Sequence, residues 1–561
     1  MGEVAIEMEP VEVRATDVSS APLGEGPEPS GSGHALPPLL RNAVSLLVFL
    51  LILAAPLFFG SVHQTTYLIE RLFIFTGLLG FSIWGRRRLV SCFAPKSASL
   101  SMVWLGAGVL LLIALQSALF FIFPEPHAVL GSVALPESSR ALSSFVLSIA
   151  TFLATFVLFR AWIGPRDQKA EGLLSYIFLS LAIVSLVALS HWFYDTGKLF
   201  WVFEPEHVFT SVRARWPFVN SNHLGHFLLP GFFLVVAALS VTLTELRDIA
   251  VTTQRSNKRS WGLLFSSHRV QQRLIRVGLL LGLALASALS IGATLSRGSW
   301  LAMSLGLILF VFRDWVFGRD TLPATSWDDR PERSGANDED SSSSSTSRDQ
   351  AFARESPKSK QRGKKTHISR DQISQTFARI SFYGRPILVL SASVLLYFFM
   401  YGKGSELFAE RLEYGLMHSQ DDMRWQLYRD TMPLIREHFW FGVGAGAWAK
   451  IHPQYMSAAL SGVNPVYLHS DPLQFLAELG VVTSSVVLAG FLLLVLRAVK
   501  TARRTKGRDR AALCGLVCGG LALFIASFLD FPFRIPAITT LAAATLALTT
   551  FYIDKHASSE I

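Results

Sequence analysis

The sequence predicts an all-α polytopic membrane protein with about twelve transmembrane helices, and three observations carry that prediction. Of its 561 residues, 51% are hydrophobic and only 16% charged, with a mean hydropathy of +0.39, whereas a soluble domain is about a quarter charged. Apolar runs of about 18 residues recur, the length a helix needs to cross a hydrocarbon core about 30 Å thick. Lys and Arg crowd alternate connections, as the positive-inside rule requires of cytoplasmic loops.

In chain order, residues 1–40 are acidic and rich in Pro, Gly and Ser without an apolar core, which predicts a disordered cytoplasmic tail and not a cleaved signal peptide. Eight spans follow within 41–317, near 42–60, 67–84, 101–123, 141–162, 172–191, 224–243, 275–295 and 299–317. The second is interrupted by Glu70 and Arg71. Residues 318–385 contain Ser341–Ser345 and the basic run Lys358–Lys365, a composition that cannot bury a core and predicts a disordered cytoplasmic loop. A short ninth span at 386–402 leads into a polar loop of about 78 residues, 403–480, and spans at 481–498, 511–529 and 535–553 complete the chain.

The net charge of +10 raises nucleic acid as a partner, but its placement argues against one. With the N-terminus inside, the short inner segments carry 24 Lys and Arg, including Arg86, Arg87 and Arg88, while the outer ones carry six: Arg140, Lys198, Arg213, Arg215, Arg297 and Arg534. Both termini are then cytoplasmic and the 403–480 loop lies outside. Cys92, Cys514 and Cys518 all fall inside or within spans, so no disulfide framework is expected.

Polar residues collect on the outer side. Residues 195–223 mix Trp201, Phe203, Phe209 and Trp216 with Glu204, Glu206, Arg213 and Arg215, and end in Asn220-Ser221-Asn222-His223. Two readings stand: an interfacial aromatic belt with a polar helix cap, or a lip that contacts sugar or lipid. The turn Leu295-Ser296-Arg297-Gly298-Ser299 sets an arginine at the outer membrane boundary, where it either snorkels to water or meets an anion.

In the large loop, Asp421 and Asp422 suit a helix cap before Met423, and Arg424, Leu427, Tyr428 and Thr431 share one side of the helix. Pro433 is expected to kink or end it. Gly442, Gly444 and Gly446 permit tight turns, but they lack the GK[ST] ending of a nucleotide loop. His469 precedes a helix start at Asp471-Pro472 and reads as a cap or as a reactive imidazole. His469 with Asp471 has no further ligand at matching spacing, so no metal and no cofactor are expected.

Four segments together resemble the O-antigen ligase and O-antigen polymerase superfamily: NSNHLGHFLLP at 220–230, LSRGSWLA at 295–302, RWQLYRDTMPLIREHFWFGVGAGAW at 424–448 and LHSDPLQFLAELG at 468–480. The resemblance spans about 215–530. It departs at the long 318–380 insert and at Phe439-Trp440, where the family often has proline. It implies a membrane glycosyltransferase (GT-C-like) fold with a helical periplasmic loop subdomain, in a bacterial inner membrane. It implies an undecaprenyl-diphosphate-linked glycan donor, a glycan or glycolipid acceptor, and envelope polysaccharide assembly proteins as partners. Residue by residue, it makes His469 the catalytic base and Arg297 and Arg424 the diphosphate ligands. Arg215, Asn220, Asn222, His223, Arg429 and Asp471 are further candidates for substrate contact.

That chemistry suits the residues. Breaking the glycosidic bond builds negative charge on a lipid diphosphate, and guanidinium groups bind phosphate oxygens in forked, charge-assisted pairs. A neutral imidazole can accept the proton of an attacking hydroxyl near neutral pH. Direct displacement inverts the anomeric carbon and needs no metal. Polymerase, ligase and protein O-oligosaccharyltransferase share this chemistry and differ in acceptor; the asparagine-rich 220–223 segment leans toward polymerase. A non-enzymatic lipid-linked glycan flippase is the alternative from another class, and it would place its ionisable groups inside the membrane.

Overall fold

The computed structural model describes residues 38–58, 60, 64–122, 135–164, 169–194, 196–202, 213–256, 268–318, 413, 423–460 and 462–557. Residues 1–37, nearly all of the 318–385 segment and the expected span at 386–402 lie outside the described residues. The helices are α1 Pro38–Leu57, α2 Gln64–Trp84, α3 Arg86–Cys92, α4 Ala98–Ile122, α5 Leu135–Ile163, α6 Ala170–Phe193, α7 Ser221–Ser256, α8 His268–Ala293, α9 Arg297–Val311, α10 Arg313–Val316, α11 Met423–Glu437, α12 Trp448–Ile451, α13 Asp471–Arg504, α14 Gly507–Ser527 and α15 Pro536–Ala557. No strand occurs among the described residues.

Nine helices among the described residues are long and apolar enough to cross a membrane, and two shorter apolar helices, Asn42–Leu57 and Arg297–Val311, stand with them. The chain is a multi-pass membrane protein. Each expected span other than 386–402 coincides with one of these helices. Enclosure sorts them: α7 and α14 are 67% buried and α15 is 78% buried, whereas α2, α4, α8 and α13 are 22–28% buried. The first three form the centre, with α7 packed along α14 and α8, and α15 along α5. The others turn apolar surface outward, as helices solvated by lipid must.

The polar loop folds on its own small core. Leu427, Tyr428, Leu434 and Ile435 of α11 pack with Val443, Trp448, Ile451, Leu460 and Leu468. Buried Trp448 donates its indole N–H to Thr431 Oγ1 at 3.3 Å. The expected face of α11 is present, but the helix does not end at Pro433; it continues to Glu437. Leu434 and Ile435 beyond the proline are buried in that core, and their burial offsets the hydrogen bond that proline removes.

This subdomain joins the bundle backbone to backbone. The Val443 and Gly444 amides donate to the Ala477 and Glu478 carbonyls at 2.9 and 3.0 Å, and the Val481 amide donates to Phe439 O at 2.8 Å. The pairing requires a break inside α13, where Gly480 takes φ 70° and ψ 178°. Gly442 takes φ 67°, and a Cβ there would lie 2.5 Å from the Glu478 carbonyl oxygen. The glycine run is thus a seam between chains of backbone. From α4, Gln116 donates its side-chain amide to the Glu478 carbonyl at 2.8 Å and completes the joint.

Replacing Gly442 or Gly480 with alanine combines left-handed strain with overpacking and is expected to cost about 2–5 kcal/mol. Thermal unfolding in detergent measures this against Gly278→Ala, where a Cβ meets nothing within 4 Å and stability should hold or rise slightly.

Candidate active site

Two helix starts and two loops converge at one end of the bundle. At the head of α7, Asn220 is a cap: its Oδ1 accepts from the Asn222 amide at 2.9 Å, as N-cap side chains do. At the head of α9, Leu295 turns the chain with φ 50°. Ser296 then caps the helix, its side chain accepting from the Ser299 amide at 3.4 Å. This sets Arg297 in the first turn, exposed. Gly225 lets the two helices meet, since a Cβ there would collide with the Ser299 side chain.

The loop supplies Arg424 from the first turn of α11 and His469 from just before α13. His469 also has positive φ, 58°, a conformation costing a non-glycine residue about 1–2 kcal/mol. The Tyr428 hydroxyl holds it there by donating to the His469 carbonyl at 2.7 Å. Strained residues that their surroundings over-determine gather at functional sites, and Leu295 and His469 both border this one.

The segment between α14 and α15 closes the arrangement with Asp530, which is 1% exposed. Its Oδ1 faces His469 Nδ1 at 3.2 Å and accepts from the Phe531 amide at 3.0 Å. Its Oδ2 accepts from Asn222 Nδ2 at 2.7 Å and lies 4.0 Å from Arg424 Nη2. Arg424 also donates Nη1 to the Leu529 carbonyl at 2.9 Å. Arg213 donates to Asn222 Oδ1 and to the Thr294 carbonyl, each at 2.7 Å. The rings of His223 and His469 both stand edge-on to Phe531, at 5.1 and 4.9 Å.

These residues surround a polar cavity of about 50 Å³ lined by Arg213, Asn222, His226, Leu295, Ser296, Arg297, Gly298, Arg424, Leu529 and Asp530. Three guanidinium groups and the positive ends of α7 and α9 face it against one carboxylate, an arrangement suited to an anion. Burial by itself would raise the Asp530 pKa, but the His469 hydrogen bond and neighbouring cations, Arg424 among them, outweigh it and hold the carboxyl well below the usual range. Folding therefore keeps Asp530 ionised, and its contribution to stability is present above the unfolded pKa of about 3.9 and is lost only as pH falls further.

Of the residues singled out from the sequence, Arg297, Arg424 and Asn222 line this cavity, and His469 is one hydrogen bond away through Asp530. His223 packs beside it. Asn220 is occupied as a cap. Arg215 is buried with its guanidinium 4.9 Å over the Trp216 ring, outside the cavity lining. Arg429 is exposed on another face of α11. Asp471 accepts from the Phe533 amide at 2.9 Å and lies 3.7 Å from Arg534, which also pairs with Glu478 at 3.0 Å. The sequence reading missed Asp530 and His226 and named Arg213 only within a segment read as an aromatic belt or a lip. Asp530 carried one weak signal, a lone carboxylate in the short connection Leu529–Arg534 between two apolar helices.

Fold and cavity together define a multi-pass membrane protein with an arginine-lined polar cavity beside a carboxylate-bound histidine. Residues 373–488 match the family described as O-Antigen ligase, which places that region in the O-antigen ligase superfamily and supports a glycan-transfer role of the ligase or polymerase type. The match contains Arg424 and His469; Asn222, Arg297 and Asp530 lie outside it. No curated protein matches the chain.

Asp530→Asn keeps the shape but removes the charge that faces His469. Loss of a charge-assisted hydrogen bond, about 1.5–3 kcal/mol, is expected to lower glycan transfer roughly 10–100-fold in protein that still folds. Turnover with purified variant in detergent measures it.

Proposed function

We propose that the protein transfers a glycan from an undecaprenyl-diphosphate-linked donor to a sugar hydroxyl on the periplasmic face, with inversion and without a metal. The acceptor is a growing polysaccharide or a glycolipid. The observation that carries this reading is the Asp530–His469 hydrogen bond beside a cavity lined by Arg213, Arg297 and Arg424.

The acceptor oxygen attacks the anomeric carbon of the donor. The bond from that carbon to the diphosphate oxygen breaks, and its electron pair leaves with the undecaprenyl diphosphate. Asp530 stays ionised and accepts a hydrogen bond from Nδ1–H of His469, which leaves Nε2 to take the proton of the acceptor hydroxyl and stabilises the imidazolium that results. Arg297 and Arg424 hold the leaving diphosphate as its charge grows. Preorganised cations in a partly dry site supply several kcal/mol of such stabilisation. Arg213, Arg297 and Arg424 line the cavity, so guanidinium groups can meet the charge that a metal neutralises in other transferases.

The test is transfer by purified protein in liposomes, with undecaprenyl-diphosphate glycan and a saccharide acceptor in the presence of EDTA. Wild-type protein is expected to be active, and His469→Ala to be slower by about 10²–10⁴-fold; a His469→Ala rate equal to wild type would sink the assignment.

The orientation has its own check. The native cysteines Cys92, Cys514 and Cys518 are buried, whereas Arg429 and Lys500 are exposed. A membrane-impermeant maleimide on cells with a permeabilised outer membrane should label Arg429→Cys and spare Lys500→Cys; the reverse pattern would place the loop in the cytoplasm.

A further inference from the structure

His226 has no role in the chemistry above, yet it is the most unusual polar group at the cavity. It lies in the second turn of α7, lines the cavity beside Arg297 and Arg424, and is only 1% exposed. Neither ring nitrogen has a hydrogen-bond partner among the described residues. A buried imidazole left this way forfeits the bonds it would make in water, a cost of about 1–3 kcal/mol for each unsatisfied group, and buried polar groups in folded proteins are nearly always paired. Its partner is therefore to be sought among molecules that enter the cavity.

The surroundings select that partner. His226 Nε2 lies beside Gly298, where an added Cβ would come within 3.9 Å of it. Gly298 follows Arg297 directly, so the ring is next to the cationic turn at the head of α9. Asn222, one turn earlier on α7, is already committed to Arg213 and Asp530. The His226 ring thus lies against a cavity lined by three arginines, Asp530 and the starts of α7 and α9, a balance that favours an oxygen-rich anion.

We propose that His226 is a ligand of the donor diphosphate, donating a ring N–H to a phosphate oxygen of the lipid-linked leaving group. The proposal rests on the glycan-transfer reading and adds to it a donor-binding residue that lies in the bundle and outside the loop. Its partnerless state makes an unusual combination of effects expected. Removing the nitrogens should relieve an unsatisfied burial in the free protein and weaken the liganded one.

The experiment is binding of undecaprenyl diphosphate, by tryptophan fluorescence and by thermal shift, to full-length wild type, His226→Leu, His226→Gln and Arg297→Ala in detergent. His226→Leu is expected to unfold at the wild-type temperature or above without ligand, and to bind about tenfold or more weakly. His226→Gln keeps a side-chain N–H and should recover part of the affinity. If His226→Leu binds as wild type does while Arg297→Ala is weakened, the role of His226 is refuted and the anion site stands. If His226→Leu is destabilised without ligand, the imidazole serves the fold and the proposal fails. If wild type itself does not bind the lipid diphosphate, the donor reading falls, and this inference with it.

Discussion

A carboxylate sealed among helix ends imposes conditions on everything near it. An unpaired buried charge costs several kcal/mol, so each oxygen of Asp530 must find donors. The donors come from Asn222 on α7, His469 before α13, Arg424 on α11 and the adjoining backbone of Phe531. Four stretches spanning more than 300 residues of chain are thereby drawn to one point. The cavity is what remains between these partners once they are satisfied. Its cationic lining follows from the same constraint, because groups that satisfy a carboxylate are also the groups that attract phosphate.

A second buried ion cluster lies close behind. Arg534, four residues past Asp530, pairs with Asp471 and Glu478 and lies 5.1 Å from the Phe145 ring centroid. Glu478 and Asp471 offset the effect of burial, which alone would lower the Arg534 pKa, and hold it above its ordinary value. This cluster ties the start of α13 to the α14–α15 connection, and the glycine seam ties the same helix to the loop subdomain. His469 lies two residues before Asp471 and is held by Tyr428 and Asp530, so its left-handed backbone is imposed by tertiary contacts that its local sequence does not require.

Much of this was legible in the residues. Hydropathy located the helices because lipid demands a long apolar run wherever the chain crosses. The face of α11 was readable from three- and four-residue spacing, and Arg297 stood out because few residues separate two apolar runs. Asp530 was hidden for the opposite reason: its importance comes from partners at 222, 424 and 469, and no local pattern announces them. Arg429 and Arg424 look alike in sequence, yet five residues turn a helix to another face. Asn220 and Asn222 are two residues apart, and one caps a helix while the other bridges two charged side chains. The glycine run was readable as tight turns, and only the approach of α13 reveals its use as a seam.

The uneven enclosure of the helices has a consequence for how this protein can vary. On α2, α4, α8 and α13, only 22–28% of the apolar stretch is buried within the protein, and an acyl chain, which would cover the outward side chains, distinguishes poorly between Leu, Ile, Val and Phe. Such positions hold a composition and little identity. On α7, α14 and α15, each side chain meets specific neighbours, as Gly225 meets Ser299, and substitution there has to be answered by a partner. The heritable specification of the molecule is therefore concentrated in three inner helices and the loop, while the outer helices are free to drift within a single chemical alphabet.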